Sequence, residues 1–239
     1  MYNIERKMRM SLSVWITNDD GIGSEGIKKL AEIAGRLGDV TVFAPDGPQS
    51  GKSISLTLGE RPKPMQVHEI IEGVPSFRIK GTPVDCVLGP VVYGYDLPDL
   101  ILSGINLGYN AGAAVIYSGT VGAAMHGAIL GIPSIAVSIG SEHPDFTGVD
   151  AYLEEILKKL IEHPAGKGSI WNVNFPSCPA EEIKGTVYDV VPDPQWFGYL
   201  RKNGPMEQTD LAYLRDNYIS VGPLTSIVHG KQHNPVKLG

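Results

Sequence analysis

The chain has 239 residues, of which 42% are hydrophobic and 19% are charged, and this composition excludes an intrinsically disordered protein. The 20 Lys and Arg residues against 26 Asp and Glu give a net charge of −6, so we expect no nucleic-acid duplex as a partner, because basic residues supply most phosphate affinity. The two cysteines, Cys86 and Cys178, form no metal-binding spacing and no disulfide framework, which is typical of a cytoplasmic protein.

Neither the start of the chain nor its longest uncharged stretch predicts a membrane segment. Residues 1–10 are rich in charge and precede only a short apolar run, so we expect a loose N-terminal extension rather than a secretory signal. The stretch from Leu100 to Ser141 carries no charge, but polar residues and glycines recur through it and Pro133 interrupts it. A spanning helix needs about 20 predominantly apolar residues, so we expect no membrane partner.

The first elements along the chain follow a strand–helix–strand pattern. Leu12–Thr17 is typical of a buried strand, and Ser24 can cap a helix that carries apolar residues at helical spacing until Gly38. Val40–Ala44 is the second predicted strand. A loop rich in Gly, Ser and Pro follows, over residues 45–55.

The middle of the chain continues this alternation. Gln66–Ile71 and Ser76–Lys80 predict a hairpin, and Thr82 followed by Pro83 predicts a helix start. Leu100–Ser103 predicts a short buried strand.

Further elements of both kinds follow. Ser118 begins a helix of small residues that ends near Gly131, and Pro133–Ser138 is the next predicted strand. A helix from Thr147 and a strand over Ile170–Asn174 complete the series. Alternating strands and helices predict an α/β fold with a mainly parallel sheet.

The character of the sequence changes after Lys184. Val187–Val191 and Tyr218–Val221 predict strands, and the stretch rich in Pro, Gly and aromatic residues from Asp193 to Asn217 predicts an extended arm or long hairpin. Such an arm needs a surface to pack on, so we expect it to join subunits into a homodimer or homotetramer. We expect residues 1–184 to form the catalytic core and residues 185–239 to add C-terminal strands and the arm to the same single domain.

A pair of carboxylates gives the sharpest chemical signal. Asp19 and Asp20 follow the first buried strand, and ligands of open parallel sheets bind beyond the carboxyl ends of the strands. Adjacent carboxylates repel each other unless a cation neutralises them, and oxygen ligands favour Mg²⁺ or Mn²⁺. The same residues also suit an ordinary turn, and spacing alone weighs the two interpretations evenly.

Polar residues also follow the next two buried strands. Asp46, Gln49, Ser50 and Ser53 follow the second strand, and the stretch from Ser103 to Asn110 follows the third. Each group could supply neutral oxygen ligands, and each is equally typical of a polar loop.

The start of the small-residue helix is a candidate anion site. Ser118, Gly119 and Thr120 combine free backbone N–H groups with two hydroxyls, an arrangement that suits a phosphate. Simple N-capping by Ser118 explains the same pattern equally well.

Several other catalytic classes lack their motifs. The six histidines form no zinc spacing, and the sequence contains no GxSxG elbow and no GxxxxGK[ST] loop. The glycines after the third buried strand do not form a dinucleotide fingerprint.

Several motifs in fixed order resemble the survival protein E (SurE) nucleotidases. The resemblance spans about residues 11 to 176, with a weaker match over residues 209 to 224. It rests on ITNDDGI, VFAPDGPQSG, GTPVDCV, LSGINLGYN, YSGTVGAAMHGAILGIPSIAVS and NVNFP. It implies a Rossmann-like three-layer α/β/α sandwich with a C-terminal extended arm used in oligomers.

The resemblance also implies an activity: a metal-dependent phosphomonoesterase of the 5′-nucleotidase or acid phosphatase type, acting on nucleoside monophosphates. One divalent cation per subunit would be held by Asp19, Asp20, Ser50 and Asn106. Both aspartates would be catalytic, with either a water or one carboxylate as the nucleophile. The implied phosphate-binding positions are Ser103, Gly104, Asn110, Ser118, Gly119 and Thr120.

Two alternatives stay open at this stage. One is a phosphatase for another phosphoester, such as a phosphosugar or short polyphosphate. The other is a non-catalytic nucleotide-binding stress protein on a similar fold, since fold alone does not fix function.

Overall fold

The computed structural model describes residues 11–67, 71–142, 144–194 and 204–226. Its strands are β1 (Leu12–Thr17), β2 (Gly38–Pro45), β3 (Met65–Val67), β4 (Ser76–Ile79), β5 (Leu100–Leu107), β6 (Ser134–Ile139), β7 (Ser169–Phe175), β8 (Thr186–Tyr188) and β9 (Ile219–Thr225). Its α-helices are α1 (Glu25–Ala34), α2 (Pro83–Val92), α3 (Gly119–Ile129), α4 (Thr147–Glu162) and α5 (Asp210–Arg215). Short 3₁₀ helices cover Gly112–Ile116 and Ala180–Glu182.

All nine strands join one sheet in the order β3-β4-β2-β1-β5-β6-β7-β9-β8. The six strands from β4 to β7 are parallel, whereas β3 and β9 run antiparallel to their neighbours β4 and β7. After β1 the chain builds β2 and β4 on one side and then returns to place β5 on the other. The carboxyl ends of β1 and β5 therefore flank a topological switch point, where sheets of this kind bind ligands.

Helices cover both faces of the sheet. α1 and α4 contact each other on one face, above a core that includes Ile27, Leu30 and Leu157. α2 and α3 contact each other on the opposite face. The predicted three-layer α/β/α sandwich with a mainly parallel sheet is confirmed. Of the helices that the structure describes, none combines the length and apolar composition needed to cross a bilayer.

The predicted helix starts are confirmed by their capping geometry. The Ser24 hydroxyl accepts the N–H of Ile27 at 3.4 Å at the start of α1. At the start of α2, Thr82 and Asp85 form a reciprocal capping box, with Pro83 at the first helical position. Both helices thus begin where the sequence places polar residues able to satisfy free N–H groups.

The strand predicted over Leu100–Ser103 is too short. β5 continues to Leu107 through a bulge between Ser103 and Asn106, after which pairing with β6 resumes. Gly104 allows this continuation, because it has φ +140° and a Cβ there would lie 2.2 Å from the Val137 carbonyl oxygen. The glycine that resembles a loop residue in the sequence therefore lies inside the sheet.

The extended arm predicted over Asp193–Asn217 is partly wrong, because α5 lies within it. Ala212 and Leu214 of α5 are buried, and the helix packs on β9. A helix of six residues is too short to show a hydrophobic period. The predicted strand over Val187–Val191 ends at Tyr188, and Val191 forms only an isolated bridge to Thr209.

Three predictions lie wholly or partly outside the described residues. The N-terminal extension over residues 1–10 is the first, and residues 68–70 of the first hairpin strand belong to the second. The third is the arm, whose apolar residues Trp196, Phe197, Tyr199 and Leu200 lie outside the described ranges.

Candidate active site

The turn after β1 is fixed by a side chain that the sequence reasoning overlooked. Asn18 is fully buried, and its Nδ2 donates to the Gly21 carbonyl at 3.0 Å and to the Ser24 hydroxyl at 2.7 Å. Its Oδ1 accepts the N–H of Gly21 at 3.2 Å. These bonds lock the turn and present Asp19 and Asp20 at the switch point. Asn in a turn is common, which is why the signal was weak.

Asp19 lies against the N-terminus of α3. Its side chain is buried, and its Oδ1 accepts the hydroxyl of Thr120 at 2.7 Å. A Cβ on Gly119 would lie 2.9 Å from the Asp19 Cβ and 3.1 Å from its Oδ2. The absence of a side chain at Gly119 therefore lets the carboxylate approach the helix. The positive end of the helix dipole favours the charged carboxylate there.

Asp20 is half-buried beside the end of β5. Its Oδ2 accepts the N–H of Leu107 at 3.4 Å. Burial raises the pKa of Asp20, the neighbouring Asp19 charge raises it further, and the Leu107 hydrogen bond opposes both. The ion pairs formed within the described ranges include neither carboxylate. Among the described residues, no basic side chain forms an ion pair with this concentration of negative charge.

The two expected neutral ligands belong to segments tied to these carboxylates. Gln49, next to exposed Ser50, donates its N–H to the Asp19 carbonyl at 2.6 Å. Asn106 precedes Leu107, the residue that donates to Asp20. The Asn106 Nδ2 is engaged by the Gly108 carbonyl at 2.7 Å, which leaves Oδ1 as its ligand-capable atom.

Asp85 anchors the segment that follows Ser50. Its carboxylate is fully buried and accepts the N–H of Thr57 at 3.1 Å and its hydroxyl at 2.6 Å, besides the N–H of Thr82 at 2.9 Å. The contact between Asp85 and Thr82 lies within one turn of α2, but the bond to Thr57 joins residues 28 positions apart and depends on tertiary packing.

Ser118 caps α3. Its hydroxyl accepts the N–H of Val121 at 3.0 Å, and the side chain is buried. Capping leaves the hydroxyl hydrogen available, so the same group can donate to an anion.

A buried hydroxyl on β5 is left unsatisfied. Thr17 and Ser103 are partners in the register of β1 and β5, and both side chains are buried. The Thr17 hydroxyl interacts with the Cys86 thiol, whereas the Ser103 hydroxyl has no hydrogen-bond partner in the part of the chain that the structure describes. Buried polar groups normally have a partner, so the Ser103 hydroxyl suits a ligand or water that the protein alone does not provide.

Asn110 belongs to a buried network with residues that the sequence reasoning missed. Its N–H donates to Asn174 Oδ1 at 2.9 Å, and its Nδ2 donates to the Ser138 hydroxyl at 2.8 Å. The Asn172 Nδ2 donates to the Asn110 carbonyl at 2.8 Å. Asn172 and Asn174 alternate along a buried strand, and this spacing of two polar residues on one face was the available signal.

The donor set at the switch point suits a hard cation. No group of three or more His, Cys, Asp or Glu side chains able to hold a metal occurs in residues 11–67, 71–142, 144–194 and 204–226. Two carboxylates would match the ligand chemistry of Mg²⁺ or Mn²⁺, with the oxygens of Ser50 and Asn106 as candidate neutral ligands.

Comparisons with known proteins identify the family. The family described as Survival protein SurE matches residues 14–193. The 5′-nucleotidase SurE of Afipia carboxidovorans is 37% identical, over 89% of this chain and 92% of the relative. The 5′-nucleotidase SurE of Bradyrhizobium diazoefficiens is 38% identical, over 89% of this chain and 93% of the relative.

A solved structure of a SurE protein has a similar fold. The crystal structure of the SurE protein from Aquifex aeolicus superposes with a TM-score of 0.75 at 36% identity, over 89% of this chain and 92% of that one. The family match covers most of the chain and includes the carboxylate turn, the β5 end and the α3 start. The chain belongs to the SurE family.

Proposed function

We propose that this protein is a metal-dependent phosphomonoesterase that hydrolyses nucleoside 5′-monophosphates to nucleoside and phosphate, with 3′-monophosphates as a second substrate class. One observation carries the proposal: Asp19 and Asp20 lie side by side at the switch point, without a basic partner among the described residues, and Asp19 contacts the α3 N-terminus. The names of its relatives supply the substrate class.

We assign one divalent cation per subunit, Mg²⁺ or Mn²⁺, to Asp19, Asp20, Ser50 and Asn106. When bound, the ion would act as a Lewis acid on phosphoryl oxygens and neutralise charge. Its presence would also relieve the repulsion that raises the pKa of Asp20.

The residues of this chain have separate tasks in the proposed reaction. Free N–H groups at the start of α3 and the Ser118 hydroxyl bind phosphoryl oxygens, where charge must be stabilised during transfer. The Thr120 hydroxyl donates to the Asp19 carboxylate, so we propose that Thr120 contacts phosphate through its backbone N–H. We assign the remaining phosphate contacts to Ser103, Gly104, Asn110 and Gly119. Asp19 and Asp20 are the catalytic residues, and the attacking group is a water or one of these carboxylates.

A phosphate-release panel tests the proposal. Nucleoside 5′- and 3′-monophosphates, a phosphosugar, an aryl phosphate and short polyphosphate are assayed after chelation and after Mg²⁺ or Mn²⁺ is restored. We expect nucleoside monophosphates to be the best substrates and chelation to abolish turnover. Full activity in a chelated, metal-free preparation contradicts the metal assignment. A clear preference for polyphosphate or the phosphosugar identifies a different phosphatase, and metal-dependent nucleotide binding without turnover identifies a binding protein.

A second test compares a substitution at an active-site carboxylate with the same substitution at an exposed carboxylate nearby. Asp20→Asn should lower the rate at least ~10²-fold, the scale of one lost electrostatic contact at a reacting centre. Asp46→Asn is the control, because Asp46 is exposed in the neighbouring loop and pairs with Arg78 at 3.4 Å. Ser50→Ala should be milder than Asp20→Asn, because a water can replace a neutral ligand.

We propose that the protein is a cytoplasmic homodimer or homotetramer joined through the C-terminal region. The aromatic residues of the arm support the assembly, since aromatic side chains are enriched at the cores of interfaces. We also propose a single domain, since β8 and β9 continue the sheet of the core.

A further inference from the structure

Asp210, at the start of α5, joins the C-terminal region to the segment that leads into α3. Its Oδ2 accepts the N–H of Gly112 at 2.7 Å, across 98 positions of sequence. Its Oδ1 accepts the N–H groups of Asp193 at 2.9 Å and Leu211 at 2.7 Å. One carboxylate thus bridges α5, the turn at Asp193 and the Gly112 segment.

Burial of the charged Asp210 carboxylate carries a free-energy cost. Asp210 is 4% exposed, and burial raises its pKa, with the nearby Asp193 charge adding to the effect and the three N–H groups opposing it. A buried carboxylate persists only when its acceptor positions are filled, and removal of one partner leaves an unsatisfied polar group. The Gly112 bond is therefore one of the contacts that make this burial tolerable.

The segment held by Asp210 connects Asn110 and Ser118, two of the proposed phosphate-binding residues. Gly112 begins the 3₁₀ helix that ends at Ile116, two residues before the Ser118 cap of α3. Other side chains fix the rest of this segment. Asn174 accepts the N–H of Asn110 at 2.9 Å, and the Ser53 hydroxyl donates to the Ile116 carbonyl at 2.6 Å. Asp210 holds the part between these two anchors.

We infer that Asp210 is a positioning residue, which fixes the segment from Asn110 to Ser118 and thereby sets the affinity of the site for phosphate. This inference rests on the proposed function for the location of the phosphate. It couples the C-terminal region to the active site of the same chain, through the bond from Gly112.

Asp210→Asn should remove the hydrogen bond from Gly112 while it keeps the hydrogen bonds from Asp193 and Leu211. The amide oxygen can still accept the N–H groups of Asp193 and Leu211, and the amide nitrogen then faces the N–H of Gly112, which loses its acceptor. Thr209→Val is the matched control. Thr209 is buried beside Asp210, and its hydroxyl donates only within the C-terminal region, to the Met206 carbonyl at 2.6 Å.

The experiment measures the dissociation constant of inorganic phosphate by calorimetry with saturating Mg²⁺, together with KM and kcat for a nucleoside 5′-monophosphate. For Asp210→Asn we expect the phosphate constant and KM to rise together about five- to tenfold, the factor that one ordinary hydrogen bond supplies. We expect the Mg²⁺ concentration for half-maximal activity to stay unchanged. Thr209→Val should lower the unfolding temperature while both constants remain at wild-type values.

Two results would overturn the inference: an unchanged phosphate constant in Asp210→Asn, or an equal rise in Thr209→Val. If Asp210→Asn does not fold, Asp210→Ser replaces it, because a hydroxyl retains an acceptor in the first turn of α5 but is too short to bridge to Gly112. If the wild-type protein binds phosphate but does not hydrolyse the nucleotide, the proposed function fails, and the phosphate constants still decide the role of Asp210.

Discussion

Gly119→Ala tests whether close contact between Asp19 and α3 organises the active site. The added Cβ would lie 2.9 Å from the Asp19 Cβ, 3.0 Å from the Pro83 Cγ and 3.1 Å from the Asp19 Oδ2. Carbon atoms in ordinary contact are about 3.5–4.0 Å apart, so Asp19 or the helix must move by roughly half an ångström. Asp19 and the flanking strand are buried, so the strain falls on the atoms of the site.

Two opposing effects set the stability of this variant. Replacing glycine by alanine in a helix contributes up to about 1 kcal/mol of stability. Overpacking of a buried contact costs about 1–3 kcal/mol. Since Gly119 is the first residue of α3, the helical gain should be below its maximum, and we expect net destabilisation of about 1–2 kcal/mol.

The same displacement should also lower turnover. A misplacement of about 1 Å at a reacting centre can cost ~10²-fold in rate, so a shift of half that size should cost at least ~10-fold in kcat. Phosphate release from a nucleoside 5′-monophosphate at saturating Mg²⁺ measures this loss, and thermal unfolding measures stability. Gly23→Ala is the control, because a Cβ at that position would meet no atom within 4 Å. A kcat for Gly119→Ala within twofold of wild type would refute the reasoning.

Three further predictions concern the same site, and a fourth concerns the C-terminal arm. Thr120→Val should lower kcat at least ~10-fold because Asp19 loses a buried, charge-assisted hydrogen bond, whereas Thr120→Ser should stay near wild type; equal rates for both would contradict this. Asp20→Asn should raise the unfolding temperature of metal-free protein at pH 7 and abolish the rise that Mg²⁺ produces. The folded protein has a raised pKa at Asp20, so the charged carboxylate destabilises it at pH values above that pKa. The rise in unfolding temperature of Asp20→Asn over wild type should therefore shrink as the pH falls through the folded pKa towards the ordinary value of 3.8. A rise that does not change with pH would contradict this prediction. Ser118→Ala should cost about 0.5–2 kcal/mol as a lost cap and also raise KM, whereas normal kinetics would reduce Ser118 to a cap. The wild-type protein should sediment above monomer mass at micromolar concentration, and Trp196→Ser should give a smaller species; a wild-type monomer would rule out the oligomer.

The sequence alone determined the elements whose signals are local. β1 and α1 were predictable because a short apolar run, a capping serine and helical spacing lie within a few residues of one another. The same holds for α2, whose cap, proline and acidic residue are consecutive or nearly so. The ordered motifs indicated the family, and the acidic pair after β1 suited either a cation site or an ordinary turn.

Tertiary structure alone decided which groups meet. The Thr120 hydroxyl contacts Asp19 across 101 positions, and the Asp210 carboxylate contacts Gly112 across 98. Spacing along the chain carries no information about such pairs, because the packing of α3 on β5 and β6 and of α5 on β9 brings them together. The extension of β5 past Gly104 was likewise invisible, since the glycine is required by the approach of the Val137 carbonyl on the neighbouring strand. Local patterns fix elements through interactions within a few residues, whereas the positions of site groups depend on contacts that exist only after the sheet has formed.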